Sequence, residues 1–363
     1  MPKIKILHLE SAMGFGGQQI RILNKIRALR EKNYWITLGA FPKSEIFKKA
    51  CQMELKVYPL PLKKRDLKGI FAVLDLIKKE HIHILHTHTS WDSWLGGIVK
   101  TIYPKFALIR TRHVSTPIGR TPLSWLLYNV FPHYIITTGE AIKNQLINYN
   151  KFNPKKIVSI PTGVDLAVFD PDKVKPGLLP PNGFNIGMIS IFLEWKGHKY
   201  FILAAKEILK EIPHAEFYIV GNGNKRARAR IEKQIQDFNL QNKVHLLGFR
   251  EDIPQILASL NVLVHPSYAG EGLPQAILQA LAMKKPVITT NIGSIYEVIK
   301  HRETGLIVPH QDPQAITEAV LELYKSPALR EKLGKKGRKL VEQRYSFAKM
   351  IEEIENIYNS CRQ

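Results

Sequence analysis

Asp170-Pro-Asp-Lys-Val-Lys-Pro-Gly-Leu-Leu-Pro-Pro-Asn-Gly183 divides the chain. Four prolines and two glycines in these fourteen residues continue neither a helix nor a strand, since proline lacks an amide proton and glycine resists ordering. The segment reads as an interdomain linker over 169–183. On its N-terminal side β-rich runs are predicted as strands at Ile4–Leu9, Trp35–Ala40, Leu55–Leu60, Ile82–His86, Ala107–Arg112, Tyr134–Thr138 and Ile157–Ile160. Helical periods over Gln18–Glu31, Leu67–Glu80 and Glu140–Tyr149 separate them. The pattern restarts after the linker. Strands are expected at Phe184–Ile191, Glu216–Val220, Lys243–Leu246, Val262–His265, Pro286–Thr290 and Leu306–Val308. Helices are expected at Tyr200–Glu211, Ala227–Phe238, Pro274–Met283 and Pro313–Tyr324, followed by a charged tail of helical period. This alternation predicts an α/β protein with two parallel sheets, one over 1–168 and one over 184–344, with a terminal helix over 345–363. Two doubly wound sheets predict a ligand cleft at the carboxyl ends of their strands.

Composition narrows the class. A length of 363 residues exceeds one ordinary core and supports two domains. Hydrophobic residues at 45% and charged residues at 23% exclude a disordered or fibrous chain. No apolar run reaches the roughly 20 residues of a membrane-spanning helix. The most apolar stretch, Trp125 to Thr138, is broken by Asn129, Pro132 and His133. Lys3 and Lys5 alternate with Ile4, Ile6 and Leu7, which is a strand pattern and not that of a secretory signal. Cys51 and Cys361 offer neither metal-ligand spacing nor a disulfide framework, and a reducing cytoplasm is expected. A net charge of +22 predicts anionic partners: nucleic acid, anionic lipid headgroups or phosphorylated substrates.

Three motifs carry chemistry. Met13-Gly14-Phe15-Gly16-Gly17-Gln18 follows the first strand and precedes a helix, a place where backbone can approach an anion. It lacks the third glycine of a dinucleotide fingerprint, and a plain strand-to-helix turn reads the same residues equally well. Glu194-Trp195-Lys196-Gly197-His198 places a lysine at a strand exit before a helix, suited to a diphosphate leaving group; a solvated loop lysine is the alternative. The most informative stretch runs from His265-Pro-Ser-Tyr-Ala-Gly-Glu271-Gly272-Leu273-Pro274-Gln275 to Gln279-Ala280. Here a buried strand delivers Glu271 just before a helix expected to open at Pro274, leaving free amide groups for phosphate oxygens. Glu271 either grips sugar hydroxyls or caps that helix.

These residues resemble glycosyltransferase family 4, whose signature holds two glutamates eight positions apart around Gly-x-Pro. The resemblance extends over Leu247-Gly248-Phe249-Arg250-Glu251-Asp252 and Pro286-Val-Ile-Thr-Thr-Asn-Ile-Gly-Ser-Ile-Tyr-Glu297. In the first half, His86-Thr-His88, Thr111-Arg112-His113 and Pro161-Thr-Gly-Val-Asp165 are similar to lipopolysaccharide and capsule glycosyltransferases. The resemblance implies a GT-B fold of two Rossmann-like domains facing each other across a cleft, with the C-terminal helix packing back on the N-domain. It implies a retaining transferase acting on a nucleotide-diphosphate sugar and a glycan or glycolipid acceptor. It places Lys196 on the donor diphosphate, Glu271 on the sugar hydroxyls, and Gly272, Leu273 and Pro274 near sugar and phosphates. Gly248, Phe249 and Arg250 would hold the nucleobase, Gly16 and Gly17 would face donor phosphates and acceptor, and His113 would stand near the donor sugar. A histidine satisfied at a strand end is the plainer reading of His113. No cofactor is implied beyond the donor substrate. No metal is expected, because no carboxylate or cysteine completes a ligand set with His86, His88 and His113.

Two departures stand out. Gln279 replaces the second glutamate, and Ile191 stands where the family often carries a phosphate-binding arginine, with Leu193 offering no substitute. Such a charge-assisted contact is worth about 1.5–3 kcal/mol. Arg250, Lys199, Arg110, Arg112 and Arg120 are the candidate replacements. Lys63-Lys64-Arg65, Lys68 and the mixed basic and apolar segment Arg110–Trp125 suit peripheral contact with an anionic membrane on its cytoplasmic side; scattered solubilising lysines are the alternative. No nucleic-acid module is visible, since clustered aromatics interleaved with basic residues are lacking. A nucleotide-sugar epimerase of the same fold and a non-catalytic nucleotide-sugar or anion-binding protein remain the competing functions.

Overall fold

The computed structural model describes residues 3–32, 34–62, 67–177, 179–180 and 183–361. They form two compact units, Met1–Pro161 with Met350–Gln363 and Thr162–Lys349.

In unit 1 the strands are β1 (Ile4–Glu10), β2 (Tyr34–Ala40), β3 (Val57–Pro59), β4 (Ile84–Thr87), β5 (Ala107–Arg112), β6 (Tyr134–Thr137) and β7 (Ile157–Ser159). Each is a short apolar run, and most of their side chains are buried on both faces, which only a sheet covered by helices on both sides allows. All pairs are parallel, in the order β3-β2-β1-β4-β5-β6-β7. The covering helices are α1 (Gly17–Arg30), α2 (Glu45–Gln52), α3 (Lys68–Glu80), α4 (Ser90–Ile102), α5 (Pro122–Trp125) and α6 (Glu140–Asn144). Both α5 and α6 run on as π-helical turns, Leu126–Val130 and Gln145–Tyr149. The α4 helix is started by a capping box in which the Thr89 hydroxyl accepts from Asp92 N and the Asp92 carboxylate accepts from Thr89 N.

Unit 2 repeats the plan with β8 (Phe184–Ile189), β9 (Ala215–Val220), β10 (Val244–Gly248), β11 (Val262–His265), β12 (Val287–Thr290) and β13 (Leu306–Val308). Its order is β10-β9-β8-β11-β12-β13, again all parallel. The helices are α7 (His198–Glu211), α8 (Lys225–Asp237), α9 (Ile253–Ser259), α10 (Gln275–Ala282), α11 (Pro313–Lys325) and α12 (Pro327–Arg344). The last helix, α13 (Phe347–Ser360), starts in unit 2 and from Met350 onward belongs to unit 1, burying Met350, Ile351, Ile354 and Tyr358.

In each sheet the strand order reverses once, between β1 and β4 and between β8 and β11. Loops leaving two such neighbours diverge to opposite faces, so a crevice opens outside their carboxyl ends. This topological fact locates both sites described below.

The proline-rich segment forms no helix or strand among its described residues, but it is not where the chain changes unit. That change occurs at Pro161/Thr162, and the segment belongs to unit 2. Phe169 and Leu179 are buried in the same apolar cluster as Leu257, Leu278 and Val287, and the burial of these two side chains ties the segment down.

Candidate functional site

At the unit 2 reversal, the loop after β8 holds Lys196 and the loop after β11 holds Glu271. A 3-10 turn, Glu194–Lys196, ends at Gly197 with φ +82, a left-handed conformation that glycine adopts without a Cβ penalty. A Cβ on Gly197 would also lie 2.1 Å from the Pro266 carbonyl oxygen, so the two loops touch backbone to backbone. The Tyr268 amide donates to the Trp195 carbonyl at 2.9 Å and joins them again.

This contact buries Lys196 and Glu271 together. Lys196 Nζ lies 2.6 Å from Glu271 Oε1 and 4.2 Å from the centre of the Trp195 ring. The same carboxylate oxygen accepts from Ser267 Oγ at 2.6 Å and from His265 Nε2 at 2.9 Å. Burial pushes the Glu271 carboxyl up, but the Lys196 charge and the His265 hydrogen bond outweigh it and hold the pKa at about 2. The third side of the site comes from β12 and the loop after it. Thr289 Oγ1 donates to the His265 carbonyl at 2.9 Å, and Ser294 N donates to Gly272 O at 3.2 Å. Gly293, at φ +56, lies so close that a Cβ would stand 2.1 Å from Glu271 O.

Glu271 is therefore not a helix cap, and Lys196 is not a solvated loop lysine. The α10 helix has no side-chain cap, and the Glu271 carboxylate faces Lys196, Ser267 and His265. Pro274, expected as the first helical residue, stands one position before the helix at φ −64 and ψ 128. Its extended ψ keeps it outside the helical turn, and α10 opens at Gln275 with uncapped amides next to Gly272 and Leu273. Gln279 is half-buried on that helix. Gly248 ends β10 at φ +69 with open space around it, and Phe249 is 46% exposed.

Positive charge is scarce here. Ile191 is 37% exposed and contributes none. Arg250 is committed to Asp252 through bonds of 2.8 and 2.6 Å. Lys199 is exposed. In unit 1, Arg110 and Arg112 are buried, with Arg110 4.1 Å over the Tyr128 ring and Arg112 Nη1 donating to Tyr128 Oη at 2.9 Å. Arg120 stacks on Tyr149 at 4.3 Å.

At the unit 1 reversal, Gly16 precedes α1 with an extended φ of −167, and neither it nor Gly17 needs a glycine conformation. The loop folds back through Gln18 Nε2, which donates to Glu10 Oε2 at 2.6 Å. Glu10, a residue the motifs did not single out, is buried at the end of β1. Burial first, then the charge of Asp92, push its carboxyl up to about 8. His113 follows β5, half-buried, with Nε2 3.2 Å from His88 Nδ1. His265 and Ser267 are bonding partners of Glu271 that the motifs did not single out, although both are polar residues at a strand exit within the Glu271 motif.

Comparison with known proteins covers nearly the whole chain. Residues 15–168 match the family Glycosyltransferase Family 4, and residues 170–340 match Glycosyl transferases group 1. The UDP-Gal:alpha-D-GlcNAc-diphosphoundecaprenol alpha-1,3-galactosyltransferase of Escherichia coli is 30% identical over 81% of this chain and 79% of its own. The capsular polysaccharide biosynthesis glycosyltransferase CapM of Staphylococcus aureus is 26% identical over 99% of this chain and 98% of its own. Among solved structures, Anabaena Alr3699/HepE in complex with UDP-glucose superposes with a TM-score of 0.86 at 20% identity, over 98% of this chain and 100% of that one.

Proposed function

Because the chain belongs to the glycosyltransferases of family 4 and group 1 and has the GT-B fold, we propose that it transfers a sugar from a nucleotide-diphosphate sugar, with retention of configuration, onto a glycan or lipid-linked acceptor. The observation that carries this reading is the buried Lys196–Glu271 pair beside the uncapped start of α10. Lys196 and the α10 amides suit the diphosphate, and Glu271, acceptor-only at neutral pH, suits the sugar hydroxyls. In the proposed reaction the bond from the anomeric carbon to the diphosphate oxygen breaks while the acceptor oxygen bonds the same face. The acceptor's proton passes to the departing diphosphate, so no protein nucleophile is required. The protein's contribution is alignment and stabilisation of the leaving charge. Gly248, Phe249 and Arg250 are the proposed base contacts, and no metal is assigned a role.

The Escherichia coli relative is named for UDP-Gal and the Anabaena structure holds UDP-glucose, which makes uridine diphosphate the first probe. Thermal unfolding with uridine diphosphate and its sugars should show a clear rise in Tm, since a ligand at 100 times its Kd stabilises by about 2.7 kcal/mol. No response to these or to other nucleoside diphosphates would sink the donor assignment. Ile191 and Gln279 favour a second reading, a nucleotide-sugar-binding protein without turnover. Stabilisation without sugar transfer or donor hydrolysis would select it.

We also propose peripheral contact with anionic lipid on the cytoplasmic side. No helix among the described residues is long and apolar enough to cross a membrane. Leu123 and Trp125 on α5 are 61% and 54% exposed, with Arg120 nearby in sequence. Lys63, Lys64 and Arg65 lie outside the described residues. Apolar and basic side chains together suit an interface where each cation contributes about 1 kcal/mol. The double variant Leu123→Ser/Trp125→Ser should sediment less with phosphatidylglycerol vesicles; unchanged sedimentation would rule this surface out.

A further inference from the structure

Six side chains of unit 1 form one unbroken hydrogen-bonded chain. Thr111 Oγ1 lies 2.6 Å from His86 Nε2, and His86 Nδ1 lies 2.7 Å from Tyr358 Oη. Tyr358 Oη lies 3.2 Å from His8 Nε2, and His8 Nδ1 lies 2.9 Å from His88 Nε2. His88 Nδ1 then meets His113 Nε2 at 3.2 Å. The strand pairing builds this chain. His8 of β1 stands in register with His86 of β4, and the two-residue period of a strand brings His88 to the same face. Five of the six are buried; His113, half-buried, is the end nearest solvent.

Burial, reinforced by Lys25 and, at His86 and His113, by Arg21, holds all four imidazoles well below their usual pKa. A neutral imidazole has one donor and one acceptor. Among the described residues the buried Tyr358 hydroxyl bonds only His86 and His8, so its own proton must go to one of them; either all four rings carry their proton on Nδ1, or all four carry it on Nε2. Thr111 breaks the tie. Among the described residues its hydroxyl has no partner other than His86 Nε2, and a buried donor left unmade is costly. Thr111 therefore donates to His86, His86 to Tyr358, Tyr358 to His8, His8 to His88, and His88 to His113.

We infer that this chain is a tautomer relay that leaves His113 with its proton on Nδ1, so that His113 offers the substrate a hydrogen-bond donor and not a base. Tyr358, His8 and His88 are positioning residues for His113, and α13 takes part in the relay through Tyr358. The functional half of the inference rests on the proposed function and on the position near the donor sugar that the family resemblance implies for His113. It agrees with the acceptor's proton leaving on the diphosphate.

His8, His86 and His88 also form a trio compact enough to suggest a metal site. Their rings lie within 29°, 13° and 18° of parallel, with centroids 4.6 to 5.2 Å apart. His8 Nδ1 and His88 Nε2 already face each other in the ring plane at 2.9 Å and satisfy one another as a hydrogen-bonded pair. The neighbouring Lys25 and Arg21 further disfavour a cation.

Ring-nitrogen NMR of the full chain labelled with 15N-histidine tests the relay, with His113→Asn and His8→Asn assigning signals. The wild type should show His8, His86, His88 and His113 all protonated on Nδ1. In Tyr358→Phe, His113 should become a mixture of tautomers, and kcat should fall about ten-fold with KM for the donor little changed. Thr111→Val should act in the same direction and carries the test if Tyr358→Phe does not fold. Mixed tautomers in the wild type, or an unaltered His113 in the folded variants, would overturn the relay. So would one equivalent of zinc bound with loss of these ring protons. A shifted tautomer with unchanged kcat would overturn its role in the reaction. A wild type without any sugar transfer would instead sink the proposed function, while the ring signals still decide the relay.

Discussion

Glu271→Gln should lower sugar transfer by about 100- to 1,000-fold, the expected scale for removing one charged group from a preorganised site. The variant keeps the volume of the side chain and an oxygen for Ser267 and His265, so the loss isolates the carboxylate charge. It also leaves Lys196 buried without its partner, and breaking a buried pair costs about 3–5 kcal/mol. The same cost is expected of Lys196→Met. The double variant should be more stable than the sum of the singles, because no unpaired charge remains, while still failing to transfer. That pattern separates a catalytic loss from an unfolding loss. Acid unfolding adds an independent check. With a usual value of 4.5 and a folded pKa of about 2, the Glu271 carboxylate contributes stability above pH 4.5 that disappears as pH falls toward 2. Urea titrations at a series of pH values should show this fall in the wild type and a smaller one in Glu271→Gln. Transfer at the wild-type rate by Glu271→Gln would remove Glu271 from the site.

Gly197→Ala should be strongly destabilising for a single added methyl. It meets two penalties, a φ of +82 and a Cβ 2.1 Å from the Pro266 carbonyl oxygen. Because that oxygen is backbone, the clash is relieved only by parting the Lys196 and Glu271 loops. A left-handed alanine costs about 1–2 kcal/mol and overpacking another 1–3. Gly293→Ala, with φ +56 and a Cβ 2.1 Å from Glu271 O, should cost a similar amount. Two controls bracket them. Gly248→Ala has a φ of +69 but open space, so only the conformational cost of about 1–2 kcal/mol applies. Gly14→Ala meets nothing within 4 Å and should be nearly neutral. Chemical denaturation orders the four. Gly197→Ala matching Gly14→Ala in stability would mean that the two loops are not held in contact.

Much of this architecture is legible along the chain. Ile4–Glu10, Val262–His265 and Leu306–Val308 are short apolar runs bounded by turn signals, and each is a strand. That agreement has a local cause, because strand and helix periods depend on neighbours a few residues apart. The Glu271 motif and Lys196 were legible for the same reason, each being a compact loop at a strand exit. Where local signals competed with packing, packing prevailed. The proline-rich segment has the chemistry of a linker, yet burial of Phe169 and Leu179 attaches it to unit 2. Pro274 has the chemistry of a first helical residue, yet stands just before α10.

Partnerships are a different matter. Lys196 and Glu271 are 75 residues apart, and Tyr358 is 350 residues from His8. No period or spacing encodes those meetings. They follow from the order of strands, which reverses between β8 and β11 and between β1 and β4, and from the return of α13 to unit 1. Residue types and local geometry thus set the fold class and the loops that carry chemistry. Long-range strand order set which side chains share a carboxylate or a proton, because such contacts form only after both strands are in place.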